Sequence, residues 1–333
     1  MQTTKKNYKE FLINYALYMI LGLLILGIIV YDPTFLSPNN FINILMQAST
    51  RAIMALGVAG LIVLQGTDLS AGRVMGLSAA FAASLLQSTT YAARMYPQLG
   101  DIGLFIPLLI AILAGVIFGL INGFGVAVLK IHAFIITLGT QLIAFGIINL
   151  YINSQASGAQ PLGTLNEKYL NFVTGRFFGI PYVVFYLLIT AIIMWVIWNK
   201  TTLGKNMFAI GGNPEAAEVS GINIVKTILI VYVISGVLYG FAGFLEGGRL
   251  GSVNPNTGFA YELDAISACV VGGVSFSGGV GTIPGVLLGA VLLQLINYGL
   301  NYIGVDPNVQ YLVRGLIIIV AVAIDVRKYL KKK

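Results

Sequence analysis

Long, mostly apolar runs recur along the whole chain, separated by short polar breaks, and they decide what it can fold into. A bilayer core of ~30 Å is crossed by roughly 20 apolar residues in helical form. Runs of this kind lie at about 14–31, 41–64, 69–90, 103–128, 132–152, 180–199, 227–247, 262–276, 280–303 and 309–326. Backbone amides in lipid must bond within their own segment, so the runs read as helices. The expected fold is all-α: a polytopic integral membrane protein of about ten transmembrane helices, some short or broken. Only 9% of residues are charged, against ~25% in soluble domains, so the chain cannot cover a water-facing surface. Two spans are weak: 262–276 is short, and 41–64 carries Arg51, so a helix break or a tilt is expected in each.

The formal charge of +7 suggests nucleic acid until the basic residues are placed. Lys5, Lys6 and Lys9 precede the first run, and Arg327, Lys328, Lys331, Lys332 and Lys333 follow the last. This is the positive-inside pattern with both termini cytoplasmic, as an even number of spans requires. Alternating crossings then place Arg73, Lys130, Lys200, Lys205 and Lys226 inside, and leave Arg94, Lys168, Arg176 and Arg249 outside. The organisation that follows is a cytoplasmic N-terminus (1–13), one transmembrane domain (14–326) and a basic cytoplasmic tail (327–333). The first run has no small-residue cleavage site after it, only Asp32-Pro33-Thr34-Phe35, and reads as a retained span. An external loop at 153–179, with Gln155, Asn166, Glu167, Lys168 and Arg176, is either a docking surface for an extracytoplasmic partner or a plain solvated loop.

Between two apolar runs, residues 200–226 form a polar, helix-compatible segment on the cytoplasmic side. Asn213 suits an N-cap, Pro214 the first helical position, Glu215 the first turn and Gly221 the end. Ala216, Ala217 and Ser220 leave one face flat enough for close docking. A soluble helix kept between spans is a handle for something in the water. No phosphate-binding loop accompanies it, since Gly204-Lys205 is followed by Asn206 and lacks the earlier glycine such a loop needs. Any work this chain performs is therefore expected to draw its energy from a partner.

Other features admit more than one reading. Gly115, Gly119 and Gly123 share one helix face, as do Gly281, Gly285 and Gly289, which suits either packing within one subunit or an interface between two. Residues 66–72 and 273–279 are Gly/Ser-rich breaks at cytoplasmic span ends and resemble a duplicated unit. Cys269 in an apolar run reads as a small buried hydrophobe, and His132 at a span end as interfacial. No Cys/His cluster points to a metal. Asp68 and Arg73 form either an ion pair or a helix cap. Glu246 and Arg249 are spaced to pair with each other near an external end, and Asp264 suits a helix start. These charges are too few and too peripheral for a proton relay. Gln65, Asn122, Thr137, Thr140, Gln141, Asn149, Gln294 and Asn297 are uncharged polar residues within spans, and Asp68 and Ser70 join them as path candidates. They either line a route for a hydroxyl-rich solute or bond helix to helix.

Three motifs in order then resemble a known family. They are Gly66-Thr67-Asp68-Leu69-Ser70-Ala71-Gly72-Arg73, the loop Ala209-Ile210-Gly211-Gly212-Asn213-Pro214-Glu215-Ala216-Ala217, and Tyr261-Glu262-Leu263-Asp264-Ala265-Ile266 continuing through Val271 to Thr282. Together they are similar to the membrane subunits of bacterial ribose/galactose-type ABC sugar importers, and the Thr67–Arg73 wording is most like the galactose/methyl-galactoside branch. The resemblance implies a bacterial inner-membrane location and a homodimer enclosing one path. It also implies a cytoplasmic ATPase with tandem nucleotide-binding modules, which would hold the ATP and magnesium, and an extracytoplasmic sugar-binding protein. No cofactor is expected in this chain. The handle matches the family's coupling loop, which carries a docking role to Gly204, Gly212, Asn213, Glu215, Ala216, Ala217, Ser220 and Gly221. Rival readings are a permease for ribose or another sugar, and a secondary sugar transporter not driven by ATP.

Overall fold

The computed structural model describes residues 8–155, 158 and 160–330. Lys5, Lys6, Lys331, Lys332 and Lys333 lie outside the described residues. α1 (Tyr8–Tyr31) leads through a single 3₁₀ turn into α2 (Pro38–Val63), followed by α3 (Ala71–Leu85), α4 (Phe105–Ala127) and α5 (Ala133–Asn153). Then come the short α6 (Glu167–Thr174) and a two-stranded hairpin of β1 (Arg176–Phe177) and β2 (Ile180–Pro181), antiparallel with Phe177 opposite Ile180. α7 (Tyr182–Lys200) returns to α8 (Thr202–Gly212) and α9 (Pro214–Val219). α10 (Ile224–Leu250), α11 (Tyr261–Val271), α12 (Ile283–Tyr302) and α13 (Pro307–Leu330) complete the chain. Several helices start where the sequence supplies a cap: Ser37, Asn223 and Thr282 accept hydrogen bonds from first-turn amides of α2, α10 and α12.

α2 and α10 form the centre and run antiparallel, with the Ser235 hydroxyl donating to the Gly57 carbonyl at 2.9 Å. At 27 residues, α10 is about 40 Å long and spans a bilayer with a tilt. The glycine face Gly115–Gly119–Gly123 of α4 lies on α10, so the internal-packing reading holds for it. A Cβ on Gly115 would land on the Gly236 carbonyl, and one on Gly236 on the Gly115 carbonyl. Gly285 and Gly289 of α12 face Gly272 and Ala268 at the end of α11 in the same way, whereas Gly281 precedes α12 and packs on Val63 and Val274. Without a hydrophobic drive between helices in lipid, this close backbone approach supplies the packing. The outer helices expose apolar side chains such as Leu23, Leu113, Leu142, Ile192 and Leu316, the surface that lipid requires.

Each of the ten runs contains a helix, but two of the helices do not cross. α3 has 15 residues and α11 has 11, or ~22 Å and ~16 Å of helix against a ~30 Å core. α3 packs Met75 and Ser78 against Gly243 of α10 and therefore starts near the level of Tyr239, halfway along that helix. α11 starts where Asp264 meets Arg51, halfway along α2. The chain reaches these starting points through polar, turn-rich segments, 64–70 from the end that bears α8 and α9, and 251–260 from the opposite end. The half-helices then run in opposite directions with their N-terminal ends in contact, Gly72 and Gly76 against Thr257 and Gly258. Non-helical backbone at this depth is tolerated because protein surrounds it. Seven helices among the described residues are long and apolar enough to cross a membrane.

Three expectations are corrected here. The break expected in 41–64 is absent: α2 is one continuous helix of 26 residues, because Arg51 is paired inside the protein and needs no unwinding. Residues 66–72 and 273–279 are not equivalent, since the first leads into a half-helix and the second follows one. The external loop is not plain: α6 is N-capped by Asn166 and anchored on α10, where the Tyr169 hydroxyl donates to the Phe244 carbonyl.

Candidate functional site

The handle is two helices meeting at Asn213. The Asn213 side chain accepts from the Ala216 amide at 2.9 Å, Pro214 occupies the first turn, and Gly221 adopts a left-handed φ of 82° just past the end. Asn213, Glu215, Ala216 and Ser220 are exposed, as are Gly212 and Gly221. Ala217 is buried against the handle's own base, and Gly204 is buried against the carbonyls of Ile197 and Trp198. Those two residues therefore shape the handle without facing outward. At its tip Val219 is 91% exposed.

The path candidates fall into three places. Asp68, Ser70, Asn122, Thr137 and Thr140 form a buried lock between the 64–70 segment and helices α4 and α5. Ser70 donates to Asp68 at 2.6 Å, Asn122 donates to the Ser70 hydroxyl at 3.0 Å, and Thr140 donates to the Asn122 carbonyl oxygen at 2.8 Å. The Leu69 amide donates to the Thr137 hydroxyl at 3.2 Å. Asp68 is 1% exposed, and its partners are these polar groups, not Arg73. Arg73 instead donates to the Pro255 carbonyl and lies between the Phe145 and Phe259 rings. Gln65 stands apart at the handle end, where its amide donates to the carbonyls of Gly211 and Ser277.

Gln294 and Asn297 belong to the third place, a network joining α2, α10, α11, α12 and α13. Arg51 donates to Asp264 at 3.1 Å and to Gln294 at 2.8 Å, with its guanidinium 4.5 Å from the Tyr261 ring centre. Arg314 donates to Asn297 at 3.0 Å and sits 3.7 Å from Asp264. Glu246 pairs with Arg249 at 2.6 Å, as its spacing suggests, and also accepts from Thr50 at 2.7 Å and Tyr261 at 3.0 Å. Glu246 is 0% exposed, so this group is central and not peripheral. A cavity opens beside the network, lined by Arg51, Asp264, Gln294 and Asn297 together with Ala268 and Leu293. The cavity is water-sized, and Gln294 and Asn297 already bond Arg51, Gln47 and Arg314, so a sugar would reach these groups only if the helices around them part.

A family model described as "Branched-chain amino acid transport system / permease component" matches residues 40–322. The chain belongs to this permease family. It is 51% identical to the galactose/methyl galactoside import permease protein of Escherichia coli (strain K12), over 99% of this chain and 98% of that one. The corresponding protein of Haemophilus influenzae is also 51% identical, over 96% and 95%. The ribose import permease protein of E. coli (strain K12) is 37% identical, over 93% of each chain. No solved structure matches. With seven long apolar helices among the described residues, the permease is a multi-pass protein of the bacterial inner membrane.

Sequence reasoning missed several residues of this permease. Thr50 and Gln47 join the central network and carried no separate signal, because an uncharged polar residue in an apolar run does not name its partner; Tyr261 joins it too and was quoted only within a motif. Glu262 was quoted only within a motif. It is buried at the contact of the two half-helices, where Gln141 donates to it at 3.2 Å. Its carboxyl group lies where the N-termini of α3 and α11 meet, against Gly72. On the outer loops Lys168 donates to Asp101 at 2.6 Å and holds that exposed carboxyl below the usual carboxylate range.

Proposed function

We propose that this chain is the membrane-spanning subunit of an ATP-driven ABC importer that takes up galactose and methyl galactoside. The observation that carries the reading is the near-full-length 51% identity to two galactose/methyl galactoside import permeases, against 37% to the ribose permease. Two copies enclose one path, an ATPase with paired nucleotide-binding modules docks on α9 from the cytoplasm, and an extracytoplasmic binding protein delivers the sugar. The chain itself hydrolyses nothing. ATP and magnesium act on the ATPase, and the binding protein sets most of the selectivity.

Closure of the ATPase moves α8 and α9, rocks the attached helices and opens the path toward the loaded binding protein; hydrolysis and product release reset it. The exposed Val219 and the capped, flat face of Asn213, Glu215 and Ala216 support this docking role. Gln294 and Asn297 are the path candidates with access to a cavity. A transporter needs weak contacts there, because tight binding in the path delays release. The lock at Asp68, Ser70, Asn122, Thr137 and Thr140 is satisfied internally and serves to hold the re-entrant segment in place.

The test is reconstitution in liposomes with a candidate ABC ATPase and a galactose-binding protein from the same organism. Radiolabelled galactose should accumulate only with ATP on the ATPase side. Accumulation of ribose but not galactose would assign the ribose alternative, and uptake indifferent to ATP would assign a secondary transporter.

A further inference from the structure

The handle does not touch the membrane core at random. Its first helix, α8, ends at Gly211 against two other backbone segments: a Cβ there would fall on the Val63 carbonyl and within 2.6 Å of the Gly279 amide nitrogen. That Gly279 amide donates to the Val63 carbonyl at 2.9 Å, closing the contact from the third side. Gly278 and Gly279 both hold left-handed φ, of 78° and 67°, and a Cβ on Gly278 would meet the Gly211 carbonyl and the Gln65 side chain. Three strands of backbone therefore interlock with no side chain between them.

Gln65 pins the joint from outside. It is a non-glycine residue at a φ of 62°, a conformation that β-carbon crowding disfavours and that surrounding contacts must hold. Its amide nitrogen donates at 2.8 Å to the Gly211 carbonyl, one of the last carbonyls of α8, which lack partners within the helix. The same nitrogen donates at 3.2 Å to the Ser277 carbonyl. Gln65 lies six residues before α3 begins, and Ser277 six residues after α11 ends. One side chain thus ties the handle to the lead of one half-helix and the exit of the other, and those half-helices touch at mid-membrane.

We propose that Gln65, with the bare backbone contact at Gly211, is the positioning joint that transmits movement of the handle to both half-helices together. The proposal rests on the importer reading. Pulling on α8 alone would shift the cytoplasmic rim of α7 and α10. With the joint engaged, the same displacement reaches the 64–70 segment and the 272–282 loop, and so moves both sides of the mid-membrane contact at once. Gln65 acts by donating to two carbonyls, so donor character, not size, is what the joint needs.

The experiment measures ATP hydrolysed per galactose imported in liposomes holding the complete transporter. Gln65→Glu keeps the shape but offers only acceptor oxygens to two carbonyl oxygens, and should raise the ratio about tenfold while the ATPase still co-purifies. Gln65→Lys restores a donor of sufficient reach and should stay within about twofold of the parent. Gly211→Ala, whose new methyl meets backbone that cannot turn aside, should raise the ratio like Gln65→Glu. If Gly211→Ala fails to assemble, the Gln65 pair still decides the matter. An unchanged ratio in Gln65→Glu, or equal damage from Gln65→Lys, overturns the joint. ATP-independent uptake by the parent protein would overturn the importer reading, and the joint with it.

Discussion

Arg51 shows how one side chain sets the limits of reading a membrane sequence. A lone guanidinium near mid-span costs ~2.5–3.5 kcal/mol on insertion scales, which is why a break in its helix was the natural expectation. Asp264 and Gln294 meet it on one side and the Tyr261 ring on another, so the helix continues unbroken. Those partners lie more than 200 residues away, and no local pattern announces them. Removing Arg51 alone leaves Asp264 buried with only the longer 3.7 Å contact to Arg314. Arg51→Ala should therefore destabilise the protein by about 3 kcal/mol, read as a lowered melting temperature in detergent, with Asp264→Asn in the same background recovering part of the loss. The Asn122 amide is a second case, since it both donates to Ser70 and accepts from Thr140. Asn122→Ala should cost about 1 kcal/mol, because it removes two buried hydrogen bonds while Ser70 keeps Asp68 and Thr140 keeps the Ile136 carbonyl as partners. The sequence marked Asn122 as polar in an apolar run; that its bonds are already spent was visible only with its neighbours in place.

At the scale of elements, local signals served the handle and the crossing helices well and the half-helices poorly. Asn213, Pro214 and Gly221 carry their own instructions, a cap, a first-turn residue and a left-handed stop, and α9 ends where they say. The glycine face of α4 was legible as a contact face, while its partner, Gly236 and Gly240 on α10, was not. Gly115→Val should force two backbones apart at a cost of at least about 2 kcal/mol and reduce the yield of folded protein. α3 and α11 misled a count of apolar residues because the apolar runs around them extend beyond the helices, to 90 and 276, while the helices end at Leu85 and Val271. Hydropathy does not separate a residue buried in protein from one facing lipid. On the handle, Glu215→Lys or Val219→Asp should lower ATPase co-purification several-fold with no change in melting temperature, since both side chains are exposed.

For the whole molecule, α2 and α10 form a fixed centre against which two opposed half-helices meet, and the handle is tied to both through a short joint. On the importer reading, this arrangement lets work received at one end be expressed halfway through the bilayer. The family, the all-α architecture and the position of the handle could be read from the sequence, because each rests on short motifs or on composition. The opposed half-helices and the central charge network could not, because each is a relation between distant residues. The central claim is that sugar moves through this chain only when an ATPase grips α9. The most direct measurement is galactose uptake into liposomes bearing the full transporter, with the parent chain and with Glu215→Lys. The parent should import galactose only when ATP is supplied, and Glu215→Lys should lose most of that import while remaining folded. Equal uptake by both chains, or uptake by the parent without ATP, would contradict it.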